Sequence, residues 1–307
     1  MKIGFISLGC SKNTIDTEMM LAHLDDARFQ ITGDANEADV ILINTCGFIG
    51  DAKEESIATI QEVAKLKKTG KLKKLIVTGC LVERWRDKIL ERLPEIDAAT
   101  GLGGIHDIVE TVEKSLKTDK YADFKNYEDT PIEGERMLSD DSPAAFLRIS
   151  EGCDNRCSYC AIPKIRGRYR SRTIESIVEE ARDLESAGAK ELNLIAEDTS
   201  RYGVDLYKKP ALAELLRRLS AETTIPWIRI FYCYPDKIDD ELIEEMRTNP
   251  RVLHYLDMPI QHISDAVLRR MNRHGDKAQI KSVIEKLRRA MPDIALRTTV
   301  IVGFAGE

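Results

Sequence analysis

Apolar positions along this chain follow two alternating rhythms: short near-continuous runs, and longer stretches in which apolar residues fall three and four positions apart. Three segments of the first hundred residues share one plan, a β-rich apolar run that stops at a cysteine and gives way to a helical pattern. The runs are KIGFISLGC, ADVILINTC and KKLIVTGC. Helical spacing covers 14–24 after Cys10 and 52–66 after Cys46. Strand and helix alternating in this way predict a parallel sheet. All strand C-terminal ends of such a sheet lie on one edge, where open α/β folds bind ligands. Cys10, Cys46 and Cys80 therefore converge on that edge although they are far apart in sequence.

From 117 to 142 the chain turns polar and charged without sustained periodicity. This predicts a first domain over 1–120, an extended interdomain linker over 121–143 and a second domain over 144–307. In the second domain strand-like runs recur at AFLRIS, ELNLIAE, WIRIFYCY, LHYLDMPI and ALRTTVIVGF, separated by helical stretches such as 173–187 and 277–289. Five strands in repeated βα units suggest a barrel or part of one. The sequence stops at Glu307, after a strand and its Gly-rich turn, where a helix is expected. It reads as a piece of a longer protein.

Length agrees with this division, since 307 residues make about two domains at roughly 150 residues each. With 43% hydrophobic and 32% charged residues, overall disorder is excluded. Forty-six Lys and Arg against 52 Asp and Glu leave a net charge of −6, so there is no global bias toward nucleic acid or anionic lipid. The longest apolar runs, such as 40–43 and 300–302, fall far short of the roughly 18 residues a membrane span needs. MKIGFISLGC reads as a first strand rather than a signal peptide, which places the protein in the cytoplasm. Seven cysteines in that reducing compartment point to metal or redox chemistry rather than disulfides.

The segment EGCDNRCSYCAIP sets Cys153, Cys157 and Cys160 in a C-x3-C-x2-C spacing on one short loop. Three thiolates can ligate three irons of a four-iron four-sulfur ([4Fe-4S]) cubane and leave the fourth iron open for substrate or cofactor. Structural zinc is the competing reading, but it usually takes four closed ligands, and no nearby His or fourth Cys completes the set. For the N-terminal cysteines the bland reading is a small buried hydrophobe. Three at equivalent strand ends, each beside Gly or Thr small enough to leave room, favour a second cluster with an open iron.

This spacing, with aromatic Tyr159 before the last cysteine, resembles the signature of radical S-adenosylmethionine enzymes. The resemblance implies a partial (β/α)6 barrel and an open iron that chelates S-adenosylmethionine. An electron from the cluster then breaks the sulfonium bond to give a 5′-deoxyadenosyl radical. Both halves together resemble the methylthiotransferases, which implies an α/β chain: a flavodoxin-like parallel-sheet domain followed by that barrel, truncated at the C-terminus. The family's small C-terminal β-barrel, its expected RNA or ribosome contact, is absent from this sequence. In the family the second cluster holds the sulfur to be inserted, and the net reaction replaces C–H by C–S–CH3. A reductant such as flavodoxin or ferredoxin is the implied electron source, and no catalytic side chain is assigned.

SLGCSKN, TGCLVERW, ISEGCDNRCSYCAIPKIRG, YCYPD, YLDMPIQH and RTTVIVGF look like the branch that modifies the β-carbon of an aspartate in ribosomal small-subunit protein twelve. The branch acting on transfer RNA adenosine typically reads GCQMN and VQSGS, and neither occurs here. That branch is the runner-up, and an electron-transfer iron-sulfur protein is the alternative from another class. Two departures stand out: Ala305 where the family's turn has proline, and Glu197 where a glutamine is expected. A carboxylate at 197 can still accept a hydrogen bond from the cofactor's ammonium. The basic run Lys164, Arg166, Arg168, Arg170 and Arg172 reads equally as an anion-binding patch or a solvated loop. Tyr159, Glu197, Arg229, Gln261 and Arg297 are carried as cofactor contacts, while Cys233, His254, His262 and the turn at 101–104 read as structural.

Overall fold

Val40–Thr45 is buried at all six positions, as expected of a strand covered on both faces of a parallel sheet. In the computed structural model, which describes residues 1–27 and 29–307, it is the centre of a wholly parallel six-stranded sheet. The strands are β1 (Lys2–Ser7), β2 (Gln30–Thr32), β3 (Val40–Thr45), β4 (Lys74–Gly79), β5 (Ala98–Thr100) and β6 (Tyr121–Asp123), in the order β2-β1-β3-β4-β5-β6. Ile41, Ile43, Leu75 and Val77 pack with Ile60 and Val63 of the helix Gly50–Ala64 to form the core on one face. The strand order reverses between β1 and β3, the point at which doubly wound sheets open a ligand crevice. Cys10 and Cys46 follow those two strands.

The chain divides into two compact units, one of Met1–Asp140 with Lys164–Gly167, the other of Asp141–Pro163 with Arg168–Glu307. The expected linker over 121–143 is thereby corrected. Its first residues form β6, paired to β5, and its later part is held to the first unit by a buried Arg136–Glu18 ion pair at 2.6 Å. Polarity misled there because an edge strand of three residues carries no period, and a buried arginine looks the same in sequence as a solvated one.

The second unit has a five-stranded parallel sheet of β7 (Ala144–Arg148), β10 (Glu191–Ile195), β11 (Trp227–Ile230), β12 (Val252–Asp257) and β13 (Ala295–Arg297). Their order, β13-β12-β11-β10-β7, is sequential, as in a barrel wound from successive βα units. A short antiparallel pair, β8 (Ser150–Glu151) with β9 (Arg170–Ser171), flanks the cysteine loop. The expected helices are present at Ile174–Ser186 and Lys277–Ala290, each started by a side chain, Thr173 or Asp276, that accepts a backbone N–H. Strand β11 is shorter than WIRIFYCY suggested. Tyr232 turns to φ +56°, so Cys233 lies in the loop beyond the strand, fully buried and with its N–H donated to Asp257 O at 2.8 Å.

Candidate functional site

Three strand ends of the first sheet deliver the N-terminal cysteines: Cys10 precedes the helix Ser11–Asp26, Cys46 follows β3 and Cys80 opens the helix Cys80–Trp85. Their small neighbours do not leave open space, as the sequence suggested; they let the loops close on one another. Gly9 adopts φ +96°, and a Cβ there would stand 2.8 Å from Cys46 Cβ. A Cβ on Gly47 would stand 2.8 Å from the Cys80 carbonyl oxygen. Asn13, fully buried, ties the loops together by donating to Leu8 O at 2.8 Å and Thr45 O at 3.1 Å. Its Oδ1 lies 3.6 Å from Cys80 Sγ, which donates to it. Ser56 Oγ brackets Cys46, accepting from its N–H at 3.0 Å and donating to its carbonyl at 2.9 Å. Burial pushes the Cys80 thiol up to about 12, with the Arg166 cation pulling against it, and burial raises Cys46 as well.

The second triad is local. Cys153 is buried, Cys157 and Cys160 are half-buried, and the loop is turned by Cys160 N–H donating to Cys157 O at 3.0 Å. Burial pushes the Cys153 thiol up to about 12 and also raises Cys160, and the charge of Glu197 adds to both. Two residues that sequence reasoning missed frame Cys157. Tyr234 Oη lies 3.7 Å from its sulfur, and the Arg273 guanidinium sits 3.9 Å over the Tyr234 ring while donating to Tyr159 Oη at 3.2 Å. The YCYPD segment contained Tyr234, but nothing in the spacing around Arg273 signalled it. Asp198 is also buried, accepting from Asn155 Nδ2 at 2.7 Å and Ser200 Oγ at 2.5 Å.

Each set offers three thiols, enough for three irons of a cubane and one short of the four ligands that structural zinc usually takes. Among the described residues no three His, Cys, Asp or Glu side chains gather closely enough to hold one metal ion. Burial, the largest influence on both, pushes the Cys80 and Cys153 thiols toward the protonated form, and a bound cation would favour the thiolate.

Of the remaining expected contacts, Tyr159 lies within the cysteine loop, and Glu197 is close enough to raise two of its thiols. Gln261 takes φ +65° and bridges to the β13 side, donating its N–H to Thr299 O at 2.9 Å. Arg297 ends β13 and donates to buried Asp257, the last residue of β12, at 2.7 Å. Arg229 is different: it donates to Glu191 at 2.5 Å and stacks 4.6 Å over Tyr255. Glu191 begins β10, at the end of the sheet opposite the cysteine loop, so Arg229 drops out as a cofactor contact. The basic run is neither patch nor solvated loop throughout. Arg168 is exposed beside Asp154, Arg172 is buried against Glu180 and Arg148 O, and Arg166 is buried in the first unit. His254 pairs with Asp293 and His262 with Glu307, and Leu102–Gly104 forms a tight turn.

The family model described as the radical SAM superfamily matches residues 147–307, and uncharacterized protein family UPF0004 matches 2–101. A ribosomal protein uS12 methylthiotransferase RimO from Lachnoclostridium phytofermentans is 51% identical over all of this chain, which spans 70% of that relative. One of the same name from Clostridium acetobutylicum is 49% identical over all of this chain and 69% of the relative. Among solved structures, the cobalamin-dependent S-adenosylmethionine radical enzyme OxsB aligns with TM-score 0.68 at 13% identity, over 98% of this chain and 49% of that one. The radical S-adenosylmethionine methyltransferase TsrM from Kitasatospora setae aligns with TM-score 0.62 at 14% identity, over 97% and 67%. At such identities the two structures speak for the fold alone.

Proposed function

We propose a two-centre methylthio transfer for this chain, which belongs to the ribosomal protein uS12 methylthiotransferases of the radical S-adenosylmethionine superfamily. In this reading Cys153, Cys157 and Cys160 would hold one [4Fe-4S] cluster, with an open position for S-adenosylmethionine, and Cys10, Cys46 and Cys80 would hold a second. The observation that carries it is the pair of cysteine triads, each at the C-terminal edge of a parallel sheet and each composed of three thiols rather than four. When bound, these groups supply one-electron chemistry and hydrogen abstraction from an unactivated carbon, which acid and base side chains cannot drive.

The residues of the chain position and shield. Tyr234 and Arg273 frame Cys157, so its sulfur faces a hydroxyl backed by a cation. Glu197 would accept a hydrogen bond from the ammonium of S-adenosylmethionine, and Tyr159, Gln261 and Arg297 would complete the cofactor's surroundings. Burial of Cys46, Cys80 and Cys153 excludes water from reactive groups. The acceptor is the β-carbon of an aspartate in uS12, and a small reductant such as flavodoxin or ferredoxin delivers electrons. No helix of the described residues is long and apolar enough to cross a membrane, in keeping with a reaction on ribosomal protein in the cytoplasm. Relatives near 50% identity that carry the uS12 name favour this substrate over transfer RNA adenosine.

The test is anaerobic reconstitution with iron and sulfide, followed by S-adenosylmethionine, a reductant and uS12, with mass spectrometry of uS12. A methylthio gain on one aspartate is the expected result. Modification of transfer RNA with uS12 untouched would replace the reading by its runner-up.

A further inference from the structure

Arg166 reaches the first unit from a distant part of the sequence. It lies in Lys164–Gly167, a segment that follows Cys160 in the chain yet packs with Met1–Asp140. Its side chain is 1% exposed, and Nη2 donates to Asn13 Oδ1 and to Asp16 Oδ2, each at 2.8 Å. The same Asn13 Oδ1 stands 3.6 Å from Cys80 Sγ. The guanidinium is thus one shared acceptor away from a cysteine of the first triad. A mere tie between chain segments does not need this chemistry, because a buried ion pair is often replaced by apolar residues at no loss of stability.

We propose that the buried cation of Arg166 tunes the first triad, raising the reduction potential of a cluster held by Cys10, Cys46 and Cys80. The proposal rests on the reading above that these cysteines hold a cluster. Gaining an electron makes a cluster more negative, so a fixed cation nearby stabilises the reduced form. Net charge and hydrogen bonding around the sulfurs are the protein's means of setting such potentials. Weak screening in the buried setting strengthens the effect.

The test uses the full chain with Cys153, Cys157 and Cys160 replaced by alanine, so that iron reports on the first unit alone. Iron content and redox titration followed by electron paramagnetic resonance are compared for D16N, D16N/R166Q and D16N/R166K. The D16N background prevents an unpaired carboxylate from being stranded when the arginine is removed. The expected result is unchanged iron in D16N/R166Q with at least a tenfold lower reduced-to-oxidised ratio at the D16N midpoint, a negative shift of about 59 mV for one electron. D16N/R166K, which restores the charge, should recover most of the shift. Equal potentials at equal iron would overturn the proposal and leave Arg166 a packing residue. Loss of iron from a D16N/R166Q protein that melts like D16N would overturn it too, making the arginine a holder of the site rather than its tuner. If the parent itself binds no iron, the cluster reading fails and takes the proposal with it, an outcome the iron count separates from a failure of Arg166.

Discussion

The two cysteine triads gather three thiols by opposite routes. In the second unit the spacing is written into eight consecutive residues, and one turn of the loop brings Cys157 against Cys160. In the first unit no two of the three cysteines are neighbours in sequence, and the sheet must form before β1, β3 and β4 present them. Even then the loops meet only because Gly9 and Gly47 have no side chain. A local motif keeps its spacing whatever happens to distant strands, and only its outer ties, such as Ser158 N–H to Met271 O, come from elsewhere. A triad assembled from distant strand ends is exposed to any substitution that parts the loops, and its surroundings are drawn from elsewhere, as Arg166 illustrates.

The sharpest way to break this comparison is to remove one thiol from each triad. Cys157→Ala should abolish 5′-deoxyadenosine formation together with methylthio transfer. Cys46→Ala should keep 5′-deoxyadenosine formation, abolish methylthio transfer and lower iron from about eight to about four per chain. Product analysis and iron counts on the two variants check this, and identical losses in both would merge the two centres into one. Gly47→Ala is the next test. Its methyl group would meet the Cys80 carbonyl and the Leu81 backbone, and overpacking of this kind costs about 1–3 kcal/mol, read from denaturant melting. Iron should fall in the first unit alone. Retention of about eight irons would show that the loops part without cost to the site.

A smaller effect is expected at Tyr234→Phe, which takes the hydroxyl away from Cys157 Sγ and leaves the ring under Arg273. Losing a hydrogen bond of this sort costs about 0.5–1.5 kcal/mol, and it should lower the potential of the second unit's cluster without releasing iron. Redox titration in a background lacking Cys10, Cys46 and Cys80 measures it. An unchanged potential would assign Tyr234 to packing.

How much of this was legible in the sequence follows the same contrast. The apolar runs ending at Cys10, Cys46 and Cys80 revealed both the parallel sheet and its working edge, because β3 and β4 are buried on two faces and show no alternation, while the half-buried β1 repeats their plan. Strands β2, β5 and β6, three residues each, were not visible, since so short a segment carries no period. The basic run from 164 to 172 concealed three different fates, because sequence shows a charge and not its partner: Arg166 is buried beside Asp16, Arg172 beside Glu180, and Arg168 is in solvent. Arg229 was assigned to the site through its strand alone. Its partner Glu191, one strand away at the wrong end, settles its direction.

The smallest expected effect again separates the two regions, through acid. His23, on the helix Ser11–Asp26 of the first unit, has Nε2 3.1 Å from His106 Nδ1, and His106 Nε2 lies 3.0 Å from Pro131 O. Burial, and then the neighbouring His106, hold the His23 pKa below its ordinary 6.5, against the opposing pull of Asp26, Asp107 and Glu135. In the unfolded chain His23 takes up a proton near pH 6.5, whereas in the folded chain it does so only at lower pH. Between those two values the unfolded state binds more protons, so stability is complete above the window and declines as pH falls through it. Thermal melting between about pH 7.5 and 5.5 should therefore show a slope that His23→Gln flattens, since glutamine has no proton to gain. Amide exchange should locate the loss in the helix Ser11–Asp26, which begins beside Cys10, and acid should then loosen the triad that depends on the sheet before the one written into a loop. Equal slopes for wild type and variant would remove the histidine pair from that difference and leave only the glycine-dependent packing to account for it.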